Sequence, residues 1–253
     1  MHRHGVGSVI LVIARRELAA VFQTPLAWML LAATQLLLAW VFLEVIDQYQ
    51  GIAAPELEIG FNAALAERLY GATLMLLLLI APLLAARSLG QDRQLGTDQL
   101  LGSAPVRISA ILLGKLIALL APLWLLALLP LLLVAWLVGA SPVDLGLFLA
   151  ATLGLCLSAL LFASVGLLTA SLVRQPTLAA ILAYVLLIML SLIHDADQLA
   201  ALQLSLLDWL SWSQHLVWLF NGVARLSDLS YFVLMSALFL ALAQRQLANR
   251  QLG

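Results

Sequence analysis

The chain has 253 residues, of which 64% are hydrophobic and 10% charged, and its mean hydropathy is +1.08. Soluble domains run at about 45–50% apolar and about 25% charged, so a soluble two-domain enzyme is excluded. A formal net charge of −1 and a pI of about 6.4 supply no basic field that would attract nucleic acid.

The first apolar stretch, residues 6–14, is short and runs into Arg15, Arg16 and Glu17, with no small-x-small cleavage pattern after it. We therefore expect something other than a secretory leader there. In a helix, Val9, Val12, Ile13, Val21 and Phe22 fall broadly on one side and Arg15 and Arg16 on another, the pattern of a helix lying in the headgroup layer. The expectation is a cytoplasmic interfacial helix over residues 6–23, with Pro25 marking the turn into the first span.

Long uncharged runs predict spans over residues 25–43, 69–86, 116–138, 145–172, 177–193 and 229–243, each near the roughly 20 residues a bilayer requires. Continuous Leu and Ala runs without period-two alternation select helices over a barrel, since lipid offers the backbone no hydrogen bonds. The predicted fold is an all-α polytopic membrane protein with a single transmembrane domain over residues 1–253.

Arg3, Arg15, Arg16, Arg87, Arg93, Arg107, Lys115, Arg174, Arg245 and Arg250 fall on one side of this arrangement, and only Arg68 and Arg225 on the other. The positive-inside rule then makes both termini cytoplasmic, and the even number of spans agrees. The outer side carries most of the acids, among them Glu44, Asp47, Glu58, Glu67, Asp144 and Asp228.

Residues 194–228 are too apolar and aromatic for a plain loop. Leu207, Trp209, Trp212, Leu216, Trp218 and Phe220 are interrupted by Asp208, Gln214 and His215. Trp favours the lipid–water boundary, so short outer-leaflet or re-entrant helices are expected, one of them ending at Asn221 and Gly222. His194, Asp195 and Asp197 read better as a cap on the fifth span than as metal ligands.

Within the spans the polar residues are neutral: Thr34, Gln35, Thr73, Thr152, Ser158, Ser164, Thr169, Tyr184, Ser191 and Ser236. Ion-coupled carriers need titratable groups at that depth. Lys115 is the one candidate cation, and at the start of the third span its stem can snorkel to the headgroups. Gln35 reads first as an interhelical hydrogen bond. Cys156, the lone cysteine, reads as a packing residue and excludes an intramolecular disulfide.

No G-x-x-x-x-G-K-[ST] loop, H-E-x-x-H or G-x-S-x-G is present, so the chain holds no ATP-hydrolysis or hydrolase motif. In the fourth span Gly146, Ala150, Gly154, Ser158, Gly166 and Ala170 recur at four-residue steps, broken by Phe162. Small residues so spaced form a helix interface. Pro122 and Pro130 each remove an intrahelical hydrogen bond from the third span and predict a kink there.

The longest cytoplasmic excursion, residues 87–107, ends in Pro105, and Gly114-Lys115 follows. Thr97 can cap a short helix carrying Leu100 and Leu101, with Gly96 giving the turn before it. That helix would offer two leucines to a cytoplasmic partner. A self-contained hairpin held against the membrane is the alternative.

These residues carry a resemblance. Gly96-Thr97, Leu100-Leu101, Pro105 and Gly114-Lys115 resemble the stretch between the second and third spans of type 2 ATP-binding-cassette (ABC) transporter permeases. Arg16-Glu17-Leu18 through Thr24-Pro25-Leu26 is similar to the first helix of the gliding-motility and nitrous-oxide-reductase-maturation branch. Gly154, Gly166 and residues 222–231 match as well, whereas Gln91-Asp92-Arg93-Gln94 has one acid where relatives often have a Glu-rich run.

The resemblance implies a non-enzymatic permease subunit of an exporter in a bacterial inner membrane. It would pair with a second permease copy or paralogue and bind separate ATP-binding subunits. Arg93, Gly96, Thr97, Leu100, Leu101 and Pro105 would couple to the ATPase, and Arg15, Arg16, Glu17 and Lys115 would lie at the interface. No cofactor is implied for this chain, since ATP and Mg would be held by the partner subunit. A structural membrane anchor for a cytoplasmic ATPase or assembly machine, carrying no solute, shares the same loop.

Overall fold

A computed structural model describes residues 6–49, 54–94, 108–139, 143–200 and 209–252. Among them the regular elements are helices. In chain order they are α1 (Val6–Gln23), α2 (Pro25–Tyr49), α3 (Ala54–Leu65), a π-helical turn (Ala66–Tyr70) and α4 (Gly71–Gln94). Then come α5 (Ile108–Ala135), α6 (Leu145–Leu172), α7 (Pro176–Ala200), α8 (Trp212–Phe220) and α9 (Leu226–Leu252). The protein is an all-α polytopic membrane protein, with 6 helices among the described residues long and apolar enough to cross a bilayer.

Helix α6 is the axis of the bundle. It packs against α4, α5, α7, α8 and α9, and residues 161–171 are all buried. Two sequence features put it there. Asp144 caps its first turn, Oδ1 accepting from the Leu147 amide at 3.1 Å, which satisfies a donor the helix start leaves orphaned. Its small residues then let neighbours approach closely.

The observed spans overlap each of the expected ones with shifted ends: the first runs on to Tyr49, the third is Ile108–Ala135 in place of 116–138, and the second is the most extended. The second runs from Gly60 to Gly90, beginning well before the expected Leu69. Asn62, Glu67 and Arg68 break its apolar run, but α3 continues through the π-helical turn into α4. That turn delivers Tyr70 to the core, its hydroxyl 3.2 Å from Thr152 Oγ1 and donating to the Phe148 carbonyl at 3.3 Å. Helix α5 contains both Pro122 and Pro130 and remains one helix.

Within segment 194–228, residues 194–200 continue α7, so His194, Asp195 and Asp197 do not cap the end of the fifth span as expected, whereas α8 is one of the short helices expected there. Helix α8 ends at Asn221, and Gly222 adopts φ +81°, a left-handed conformation that glycine takes without a Cβ penalty. The Trp212 ring packs edge-on against Phe162 at 5.2 Å and donates its indole N–H to the Leu187 carbonyl at 2.9 Å. Tyr184 on α7 reaches back to the Leu79 carbonyl of α4.

Candidate functional site

At the end of the bundle where the chain enters, α1 lies against α5. The contact face is the i, i+3, i+4, i+7 stripe Ile10, Ile13, Ala14 and Glu17. Gly114 makes the approach feasible: a Cβ there would sit 2.9 Å from Ile13 Cβ and 3.1 Å from the Ile10 carbonyl oxygen. Any larger residue would push the two helices apart. Val12, expected on the same side as Ile13, is 69% exposed beside Leu11. One residue is a 100° step around a helix, which carries Val12 off the packed face.

The residue after Gly114 closes the contact. Lys115 Nζ lies 3.1 Å from Glu17 Oε1, and the Lys115 and Glu17 side chains are 1% and 14% exposed. The same ammonium donates to the Ser88 carbonyl at 2.8 Å. Lys115 therefore does not snorkel outward to headgroups. The close approach of α1 covers its path and Glu17 supplies an inward partner. Three elements meet here: the first helix, the end of the second span and the beginning of the third. A buried ammonium is tolerated only with such hydrogen-bonded compensation.

Arg15 and Arg16 are exposed. Arg16 Nη2 lies 3.5 Å from Glu17 Oε1, with its side chain 61% exposed, so Glu17 faces one buried and one solvated cation. Of the residues expected to couple to an ATPase, Arg93 falls in the last turn of α4, its side chain outside the described set. Gly96, Thr97, Leu100, Leu101 and Pro105 lie outside the described residues. Ser88 and Lys115, which bracket that segment in sequence, are joined.

The small-residue stripe of α6 divides in two. Gly154, Ser158, Gly166 and Ala170 are buried, whereas Gly146 is exposed and Ala150 intermediate. A Cβ on Gly166 would fall 2.6 Å from Ala85 Cβ and 3.2 Å from Pro82 Cα of α4. One on Gly154 would meet Leu216 and Leu219 of α8 at 3.2 Å. The stripe thus seats two different helices, because steps of four residues drift around a 3.6-residue turn.

A second polar cluster sits at the opposite end of the bundle. His215 Nδ1 on α8 lies 2.7 Å from Asp228 Oδ1 on α9, and its Nε2 lies 3.0 Å from the Trp209 carbonyl. A carbonyl can only accept, so Nε2 carries the hydrogen in that contact. His215 stacks on Tyr231 at 4.1 Å, and the Tyr231 hydroxyl donates to the Leu210 carbonyl at 2.6 Å. Asp228 is 3% exposed, and its Oδ2 has no hydrogen-bond partner among the described residues. Neither this pairing nor that of Glu17 with Lys115 follows from sequence, where each residue reads as an isolated polar interruption.

The model of the ABC-2 type transporter family matches residues 8–227, which include Glu17, Ser88, Lys115 and His215. The chain belongs to the ABC-2 type transporter family and is a permease subunit of an ABC transporter. No curated protein matches it.

Proposed function

We propose that this chain is the permease half of an ATP-driven exporter of the gliding-motility and nitrous-oxide-reductase-maturation branch, in a bacterial inner membrane with both termini cytoplasmic. Residues 87–107 form the coupling loop that two cytoplasmic ATP-binding subunits grip, with Arg93, Gly96, Thr97, Leu100, Leu101 and Pro105 at the contact. Residues 6–23 are the interfacial helix, and residues 194–228 the outer helical segment. A second permease completes the pathway.

The observation that carries this reading is the contact of Lys115 with Glu17 and the Ser88 carbonyl. It ties both flanks of the coupling loop to one another and to the first helix. A displacement of the loop is then passed to the second and third spans together and not absorbed at a free hinge. ATP drives such a cycle only if the partner subunits bind it with different affinity in the two permease states.

The test is co-purification. Leu100→Asp with Leu101→Asp should abolish recovery of the ATP-binding subunit while membrane insertion is retained. Full recovery of the subunit with this variant would refute the docking surface.

A further inference from the structure

A groove opens where α1 turns into α2. Val21 and Phe22 of α1, Ala27 and Leu31 of α2, Leu84 of α4 and Pro122 of α5 line it. Its corner is fixed: the Trp28 indole N–H donates to the Phe22 carbonyl at 2.8 Å, and the two rings pack at 5.8 Å. Ala27 begins the first span, and Leu84 lies about 9 Å along α4 from Gly90, where the second ends. The groove therefore sits just inside the hydrocarbon, in the leaflet that α1 borders.

Its walls and its size decide what fills it. The lining is apolar throughout, so water finds no hydrogen-bond partner there. The empty space is about 330 Å³ and open along one side. A further helix, about 10 Å across, does not enter such a space, whereas a single file of methylenes does. In hydrocarbon that single file is a lipid tail.

Helix α1 sets the headgroup. Arg15, Leu18, Ala19 and Phe22 form one stripe at three- and four-residue steps, leading from the groove to a cation about 10 Å away. Arg15 and Ala19 are exposed, and Leu18 and Phe22 half-buried. Arg16 is engaged with Glu17 at 3.5 Å, whereas Arg15 has no salt bridge among the described residues. A guanidinium matches a phosphate in charge and in fork geometry. The polar layer of a leaflet is about 5–8 Å deep, so a tail in the groove brings its phosphate within reach of the long Arg15 side chain.

We infer that the groove and Arg15 are one binding site for an anionic phospholipid, its phosphate on the Arg15 guanidinium and one acyl tail in the groove. The inference rests on the reading of residues 6–23 as an interfacial helix. It gives α1 a lipid partner in addition to its seat on α5.

The experiment places the full chain in nanodiscs containing phosphatidylglycerol or phosphatidylcholine with a photoreactive tail, and maps the labelled residues by mass spectrometry. Leu36, Trp40 and Leu43, exposed on α2, meet any lipid and normalise the signal. Labelling of residues 21–31 and 80–84 should be about fivefold heavier with phosphatidylglycerol, the worth of one arginine at an anionic surface. Arg15→Gln should lower it to the phosphatidylcholine level, and Ala27→Phe, which fills the groove, should remove it for both lipids. Equal labelling by the two lipids, no loss with Arg15→Gln or with Ala27→Phe, or displacement by added inorganic phosphate would each overturn the proposal. A bimane on Val12→Cys in a Cys156→Ala background, challenged with a headgroup nitroxide, separates the two levels. Quenching alongside any of these outcomes means that the lipid site is wrong and the interfacial helix stands; no quenching removes the interfacial helix itself.

Discussion

Lys115 Nζ and Glu17 Oε1 meet at 3.1 Å across 98 residues of sequence, and the ammonium has almost no exposure of its own. The two partners differ in what each would lose. Glu17 retains 14% exposure and can turn toward solvent, whereas Lys115 cannot. Glu17→Ala should therefore destabilise the protein more than Lys115→Met, by up to about 3–5 kcal/mol for a buried ammonium that loses its Glu17 carboxylate. The double variant should recover part of the loss, with a coupling of about 1–3 kcal/mol. Thermal unfolding of the four proteins in one detergent checks this; additive losses would show that the pair is not an energetic unit.

The stripe on α6 predicts a position-dependent response. Gly166→Val drives new atoms into Ala85 and the Pro82 backbone, and overpacking of this kind costs about 1–3 kcal/mol. Gly146→Ala meets only the Asp144 carboxylate at 3.2 Å and gains helix propensity. Thermal stability should fall with the first and hold with the second. Equal falls would mean that the whole stripe is packed in the native assembly.

At the other end of the bundle, His215→Ala strips Asp228 of its partner while leaving the carboxyl group buried. A loss of about 3 kcal/mol or more is expected, and His215→Ala with Asp228→Ala should be less harmful than the sum of the single changes. Chemical or thermal denaturation in detergent reads this directly. A neutral His215→Ala would show that α8 holds its place through Trp212 and Leu216 alone.

Orientation has a separate test. In a Cys156→Ala background, Glu58→Cys should react with an impermeant maleimide in intact cells and Gln94→Cys should not. Labelling of Gln94→Cys alone would invert the topology and place the 87–107 loop beyond reach of any cytoplasmic ATPase.

The spans were legible because lipid imposes a length and an apolar composition that few other folds satisfy. The first helix was legible for a related reason, since Arg15, Arg16 and Glu17 cannot lie inside a bilayer. The early start of the second span was not, because Asn62, Glu67 and Arg68 break its run while the helix continues through a π-helical turn. Nor does periodicity alone tell Ile13, which packs on α5, from Val12, which is exposed. The pairings of Lys115 with Glu17 and of His215 with Asp228 depend on which helices become neighbours, and that is decided by small residues such as Gly114 and Gly154. Lys115 read in isolation has only headgroups to reach for; read against α1 it has a carboxylate.

The most direct test of the central claim asks what energises the bundle. Val217→Cys on α8 is a reporter at the end of the bundle remote from the coupling loop, 49% exposed in the native residue. It would be placed in a Cys156→Ala background, in vesicles holding this chain with its ATP-binding subunit. Its maleimide labelling rate should change on adding Mg-ATP and stay constant when only a proton or sodium gradient is imposed. A change driven by an ion gradient in vesicles containing this chain alone, with no response to ATP in the complex, would contradict the account.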